Sequence, residues 1–282
     1  MQPVVVVTGA SSGIGAALVR LLAETRRYQV VATTRQASFA RMVELFQTTP
    51  QVSCYSLDVD QFDTHTGVIR TIHQRFGRID VLVNNAAISY RAVVEDMSPE
   101  EEYQQFAVNY FGPMNLIRAV LPLMRSQRSG KIINVSSVGG MMAMPTMSPY
   151  SASKFALEGA SEALWYEVRP WNIFVTLVQP GFVRSEAFRK VLLPQKAKQK
   201  AQQPYRWEYQ AMQRFIDRLM ERALATPHSV ARVIYRVIRA RKPPLRVPAT
   251  PDAWFFILFR RLLPRRLYHW ILYHQLPQWH RQ

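Results

Sequence analysis

The stretch Val4-Val-Val-Val-Thr-Gly-Ala-Ser-Ser-Gly-Ile-Gly15, with the apolar run Ala16 to Ala23 behind it, decides how the chain is read. Four consecutive β-branched residues favour a buried strand, and the run from Ala16 reads as a helix. Strand, glycine-rich turn and helix in that order is the context in which a glycine motif becomes a dinucleotide site. Gly9 permits the tight turn, Gly13 lets the backbone approach a pyrophosphate, and Gly15 allows close packing of helix on strand. The start of the helix adds amide donors and the positive end of its dipole.

Working outward, Gln29 to Thr33 predicts a second strand, which ends in Thr34-Arg35. A strand end of this kind carries an acidic residue when it binds the ribose 2′-hydroxyl of NAD, whereas an arginine nearby accommodates the 2′-phosphate of NADP. Neutral Thr34 followed by Arg35 therefore favours NADP(H). Helix-like residues Phe39 to Phe46 lead to a strand over Val52 to Leu57 that ends at Asp58-Val59, and residues 64–76 predict a further helix. Arg78 to Ala87 reads as a strand closing on Asn84 and Asn85, Glu101 to Arg125 as one long helix, and Lys131 to Ser137 as the next strand. Tyr150 to Arg169 is helical, Ile173 to Val178 a strand, and Gln179-Pro180-Gly181 breaks the chain. Strands alternating with helices every 20 to 30 residues predict an α/β fold, a doubly wound parallel sheet of Rossmann type, with ligands at the strands' C-terminal ends.

At 282 residues and 48% hydrophobic, the chain can bury the core of one large domain or two small ones, and no break in composition forces two. Its one cysteine, Cys54, excludes an intramolecular disulfide and a cysteine-built metal site; the expectation is a reducing compartment and no metal. The N-terminal segment lacks the basic region and cleavage site of a signal peptide. Charge is unevenly spread. Residues 1–185 hold 16 Lys+Arg against 14 Asp+Glu, residues 186–282 hold 20 against 5, and so nearly all of the net +17 lies in the last third.

Tyr150-Ser-Ala-Ser-Lys154 places a phenol and an ammonium four positions apart, on one face if the segment is helical. A fixed ammonium favours the phenolate and would draw the tyrosine's pKa down from about 10, making Tyr150 a candidate general acid/base. Ser136 and Ser137 lie at the preceding strand end, fourteen and thirteen positions earlier, and meet Tyr150 if the Met-rich loop Gly139 to Met147 folds back. Asn109, amid apolar residues, reads equally well as structural glue or as part of a proton path.

Taken together, Thr8-Gly9…Gly13-Ile14-Gly15, Asn84-Asn85-Ala86, Asn109, Ser137, Tyr150…Lys154 and Pro180-Gly181 resemble the short-chain dehydrogenase/reductase superfamily, in family order over about residues 3–185. Ser136-Ser-Val-Gly-Gly140 and Tyr150-Ser-Ala-Ser-Lys-Phe-Ala-Leu-Glu-Gly159 look most like its 17β-hydroxysteroid and retinol dehydrogenase branch. The resemblance implies that Ser137 stabilises the developing oxyanion, that Tyr150 transfers the proton, that Lys154 lowers its pKa and binds the nicotinamide ribose, and that Asn109 holds a relay water. It implies cofactor contacts at Gly9, Ser11, Ser12, Gly13, Ile14, Gly15, Arg35, Asp58, Val59, Asn85, Ala86, Tyr150, Lys154, Pro180, Gly181, Val183 and Ser185. It also implies a homodimer or homotetramer. Two positions depart from the family: Ala87 replaces a usual Gly and is expected to crowd the backbone near the cofactor, and Ser185 stands for a usual Thr.

Past Ser185 the family pattern fades. Residues 186–225, rich in Lys, Gln and Arg with Tyr205, Trp207, Tyr209 and Phe215 interleaved, predict a helical lid, and residues 186–250 as a whole the lid and last core elements. Pro227 to Ala240 predicts an amphipathic helix and Leu245 to Val247 a last strand. From 251 the chain becomes a basic, aromatic tail. Its uncharged run Ala253 to Phe259 is too short to span a bilayer, yet Trp, Phe and Leu mixed with arginine pairs suits a membrane interface. The expectation is a cytoplasmic protein, peripheral on an anionic membrane face through residues 252–282, the alternative being a tail that packs on its own domain or a dimer partner; no nucleic acid is expected, for want of a reading motif. The function expected is NADP(H)-dependent interconversion of a carbonyl and an alcohol on a retinoid, steroid or long-chain lipid. The alternative is a regulatory protein that keeps the dinucleotide site without turnover.

Overall fold

The computed structural model describes residues 2–185, 191–198 and 204–276. Residues 186–190 and 199–203 of the expected lid and 277–282 of the expected tail lie outside the described residues.

Seven parallel strands form one sheet in the order β3-β2-β1-β4-β5-β6-β7. They are β1 (Val4–Thr8), β2 (Gln29–Thr34), β3 (Val52–Ser56), β4 (Val81–Asn84), β5 (Gly130–Val135), β6 (Ile173–Gln179) and β7 (Arg246–Pro248). The valines of β1 explain its central place. Val5 and Val7 point into a core with α1 (Gly13–Glu24), α2 (Phe39–Phe46) and α9 (Pro227–Arg239), while Val4 and Val6 point into a second core with α3 (Phe62–Phe76), α5 (Gly112–Gln127) and α6 (Ser148–Val168). A strand sandwiched between two helical layers needs apolar side chains at every position, so it reads as a continuous run. Strand order reverses between β1 and β4, which opens a crevice at their C-terminal ends.

Several element boundaries differ from the sequence reading by a residue or more. The long helix expected over Glu101 to Arg125 is α4 (Pro99–Phe106), a π-helical turn over Ala107–Phe111, and α5. The last strand sits one residue later, at Arg246–Pro248, where Leu177, Val178 and Gln179 of β6 set its register.

Beyond β6 come α7 (Gln195–Lys198) and α8 (Arg206–Arg222). The phenol of Tyr209 on α8 accepts from Val93 N at 3.0 Å and donates to Asp96 at 2.8 Å, tying the helix to the chain after β4. The tail folds as two helices, α10 (Pro251–Leu262) and α11 (Arg265–Gln275). Among the described residues, no helix is long and apolar enough to cross a membrane.

Candidate active site

The β1–α1 turn is built for an anion. Gly9 and Gly13 have φ of +66° and +58°, a conformation that L side chains avoid. A Cβ on Gly9 would lie 2.8 Å from Ala86 Cα, so this glycine lets the turn press against the chain after β4. Nothing lies within 4 Å of a Cβ built on Gly13, which leaves the space over the helix start open. Ser12 occupies the N-cap but its side chain makes no capping bond, so the first amides of α1 are offered outward rather than consumed. Uncapped amides beside an open glycine fit a dinucleotide pyrophosphate. Ser11 Oγ accepts from Thr34 Oγ1 at 3.2 Å and joins the turn to the end of β2. Arg35, next along, is exposed. Leu57 N donates to Thr34 O at 2.8 Å, which brings Asp58 alongside. Burial and then Asp60 push the Asp58 carboxyl up, with Arg35 pulling the other way.

Asn85 is used structurally: its Nδ2 donates to Thr8 O at 2.9 Å and Gly9 O at 3.3 Å. Thr8 replies through Oγ1, which accepts from Asn85 N at 3.0 Å and Ala86 N at 3.1 Å. This stitch between the ends of β1 and β4 depends on a threonine that carried no site assignment in the sequence reading. Ala87 is exposed with φ outside the left-handed region, and Ala86 is the residue packed on Gly9.

Ser137 follows β5 and turns the chain. Its Oγ accepts from Gly139 N at 3.0 Å and caps the short turn Val138–Gly140. That turn folds back on α6, so that a Cβ on Gly139 would lie 3.0 Å from the Tyr150 ring and 3.4 Å from Ser137 Oγ. Gly139 thus admits the phenol beside the serine. Lys154, one turn along α6, is buried; its Nζ donates to Val135 O at 2.8 Å and stands 6.0 Å from the centre of the Tyr150 ring.

Burial pushes the Tyr150 phenol up, and the Ser137 hydroxyl beside it pulls the other way. Burial lowers Lys154 from 10.5 to about 8, with Glu158 opposing. The physical reason is common to both residues. Removing water disfavours the phenolate and the ammonium alike.

Asn109 lies in the π turn and is fully buried. Its Oδ1 accepts from Ile88 N at 3.0 Å, and its Nδ2 donates to Ile88 O at 3.0 Å and Ser153 Oγ at 3.2 Å. The side chain therefore pins the chain after β4 to α6. Val59 is buried, and its carbonyl packs where Gly112 opens α5, too close for any side chain there. After β6, Pro180 O accepts from Val138 N at 2.9 Å, which joins this loop to the Ser137 turn. Gly181 N donates to Thr250 Oγ1 at 2.9 Å and Phe182 N to Asp252 Oδ2 at 2.8 Å. Val183 bridges Ala225, and Ser185 ends this described segment, half-buried.

Three further groups escaped the sequence reading. Thr250 and Asp252 hold the loop after β6 from seventy residues away, without a local signal. Asn84 Nδ2 donates to Asn134 Oδ1 at 2.8 Å and Asn134 Nδ2 to Ser161 Oγ at 2.8 Å, a buried chain across β4, β5 and α6. Glu158 is buried one turn beyond Lys154, and its carboxylate accepts from Gln179 Nε2 at 2.9 Å and Arg246 Nε at 2.9 Å. Its spacing of four from Lys154 was visible in the sequence and marks a helix-face neighbour.

Glu158 supplies a pH test. Lys154 is charged below about 8 and neutral above it, with Glu158 favouring the charged form. In Glu158→Gln that support is gone, so the ammonium is lost at lower pH. The alkaline limb of a kcat/KM–pH profile is expected to move to lower pH, whereas Glu162→Gln, which removes a more exposed partner of the same arginine, is expected to leave it in place. Superimposable profiles for Glu158→Gln and wild type would rule out this coupling.

The family model for short chain dehydrogenases matches residues 3–196. The chain belongs to the short-chain dehydrogenase family. It is 42% identical over 182 residues to a 3-ketodihydrosphingosine reductase of Bacteroides thetaiotaomicron, a match spanning 64% of each chain. It is 37% identical over 257 residues to bovine retinol dehydrogenase 8, covering 86% of this chain and 80% of that one. A short-chain dehydrogenase from Streptomyces avermitilis superimposes with a TM-score of 0.81 at 32% identity, covering 93% of this chain and 92% of the other. Similar structures carry either dinucleotide. One from Burkholderia phymatum holds NAD (TM-score 0.78, 25% identity, 92% and 93% coverage) and ElxO holds NADP (0.70, 25%, 88% and 98%). This short-chain dehydrogenase is accordingly an oxidoreductase of Rossmann type whose β1–α1 turn fits a nicotinamide dinucleotide.

Proposed function

We propose that the protein is an NADP(H)-dependent oxidoreductase that interconverts a carbonyl and an alcohol on a lipophilic substrate of the retinoid, steroid or long-chain lipid class. The observation that carries this reading is the juxtaposition of Ser137, Tyr150 and Lys154 around the Gly139 turn, at the same end of the sheet as the open β1–α1 turn. The bound nicotinamide supplies or accepts the hydride. Ser137 Oγ donates to the substrate oxygen and steadies the negative charge that grows there. Tyr150 gives its phenolic proton to that oxygen in reduction and takes it back in oxidation. A phenol held protonated by burial suits the donor role. Lys154 keeps a positive charge close by, held in place on Val135 O, and Asn109 keeps the chain after β4 in register with α6. Among the cofactor contacts, Gly13, Ile14 and Gly15 would face the pyrophosphate, and Pro180 to Ser185 would border the nicotinamide.

Preference for NADP(H) is supported by Arg35, exposed at the end of β2 with no acidic residue in place of Thr34. Arg35→Asp is expected to raise KM for NADPH roughly ten- to hundred-fold, the effect of losing a charge-assisted hydrogen bond of ~1.5–3 kcal/mol. KM for NADH should change little. Equal effects on both cofactors would overturn this role. The lipophilic substrate is supported by the similarity to enzymes that carry ketosphingoid and retinol names. Its test follows nicotinamide absorbance with retinal, steroid ketones and long-chain aldehydes beside short polar ketones. A preference for the short polar ketones would refute it.

A further inference from the structure

Among the described residues, large apolar side chains are exposed at 17 positions, and seven of these fall within the tail helices. Trp254, Leu258 and Leu262 are spaced four apart and line one stripe of α10 beside Phe255, each at least 56% exposed. Leu267, Trp270 and Tyr273 lie outward on α11. The two helices are joined through Phe259, whose ring centre lies 5.6 Å from that of buried Tyr268. At the elbow between them, Arg260, Arg261, Arg265 and Arg266 are all exposed. The one acidic residue of residues 251–282, Asp252, is engaged with Phe182 N.

We infer that α10 and α11 form a docking hairpin for an anionic lipid surface. Exposed Trp, Phe and Leu in helical stripes with arginines beside them is the make-up of a helix that lies in the interface plane. Charge decides between lipid and a second copy of the chain. A two-fold contact through this face would set one elbow of four arginines near another with no carboxylate on the face to meet them, whereas lipid phosphates and serine headgroups supply that complement. The hairpin is also tied to the candidate active site. Thr250 and Asp252 hold Gly181 and Phe182, and Arg260 lies over Phe155, the neighbour of Lys154, at 5.6 Å. A lipid surface under the hairpin would therefore lie beside the site, and a lipophilic substrate would pass between them without crossing bulk water. This last consequence rests on the substrate reading above; the docking itself does not.

The test is flotation of the full chain with vesicles of phosphatidylcholine alone or with phosphatidylserine added, without cofactor or substrate. Wild type is expected to float with the anionic vesicles, less so as salt rises. Arg260→Glu/Arg261→Glu should reduce partitioning by roughly thirty-fold or more, at about 1 kcal/mol per arginine. Trp254→Ser/Leu258→Ser should abolish binding with an unchanged melting curve, because both side chains are exposed. Wild type left in solution with both vesicle types, or bound equally by wild type and both variants, would overturn the proposal. So would a dimer in solution that these variants split, since a second copy would then occupy the face. Failure here leaves the oxidoreductase reading standing, while protein that floats yet turns over no lipophilic carbonyl would count against that reading alone.

Discussion

Tyr150→Phe is expected to lower turnover by about 10²–10⁴-fold, the contribution of a positioned proton donor, with cofactor affinity nearly unchanged. The phenol is half-buried beside Ser137 and Gly139. Removing the hydroxyl keeps the ring that packs on Gly139, so folding and the β1–α1 turn are untouched. Ser137 and Lys154 then remain to polarise and hold the substrate, but no group of the set is left to move the proton. Absorbance kinetics with a responsive carbonyl, beside cofactor titration by fluorescence, separate the two effects. Loss of less than threefold in kcat would mean that the proton comes from elsewhere.

Gly15→Ala should be as damaging by another route. A Cβ at Gly15 would overlap the carbonyl oxygen of Gly9 and lie 2.6 Å from Asn85 Nδ2. The first obstacle is backbone and the second an amide that already holds Thr8 O and Gly9 O, so neither can retreat without opening the stitch between β1 and β4. Overpacking of this kind costs about 1–3 kcal/mol of stability, read as a lower urea midpoint. Cofactor binding should fall at least tenfold because the amides at the start of α1 shift with the helix. Gly13→Ala makes the useful comparison, because nothing crowds a Cβ there and only the left-handed backbone opposes it. Its stability cost should be about 1–2 kcal/mol, while its methyl would enter the open space over the helix. A Gly15→Ala protein with wild-type stability and cofactor affinity would show that the close packing read here is not needed.

The sheet, its parallel sense and the glycine turn were legible in the sequence because each rests on local pattern. Four valines in a row, a turn with glycines at positions 9, 13 and 15 and helices spaced between strands are statements about neighbours along the chain. The same holds for Tyr150 and Lys154, which one helical turn places together whatever surrounds them. The meeting of Ser137 with Tyr150 needed one further condition, a loop that folds back, and Gly139 meets it.

Tertiary structure alone decided what burial and distant partners do to those residues. That the phenol is raised and the lysine lowered depends on how much water the surrounding elements exclude, and no spacing encodes that. Asn109 and Asn85 came out as stitches because Ile88, Ser153, Thr8 and Gly9 reach them from other elements. Thr250 and Asp252 grip Gly181 and Phe182 from seventy residues away for the same reason. Even the tail, whose composition pointed to a lipid interface, needed the fold to show which of its aromatic side chains face outward and which, like Tyr268, are buried. Pattern along the chain specifies which elements form, whereas solvent exclusion and long-range hydrogen bonds, which exist only once those elements pack, specify the charge and purpose of each side chain.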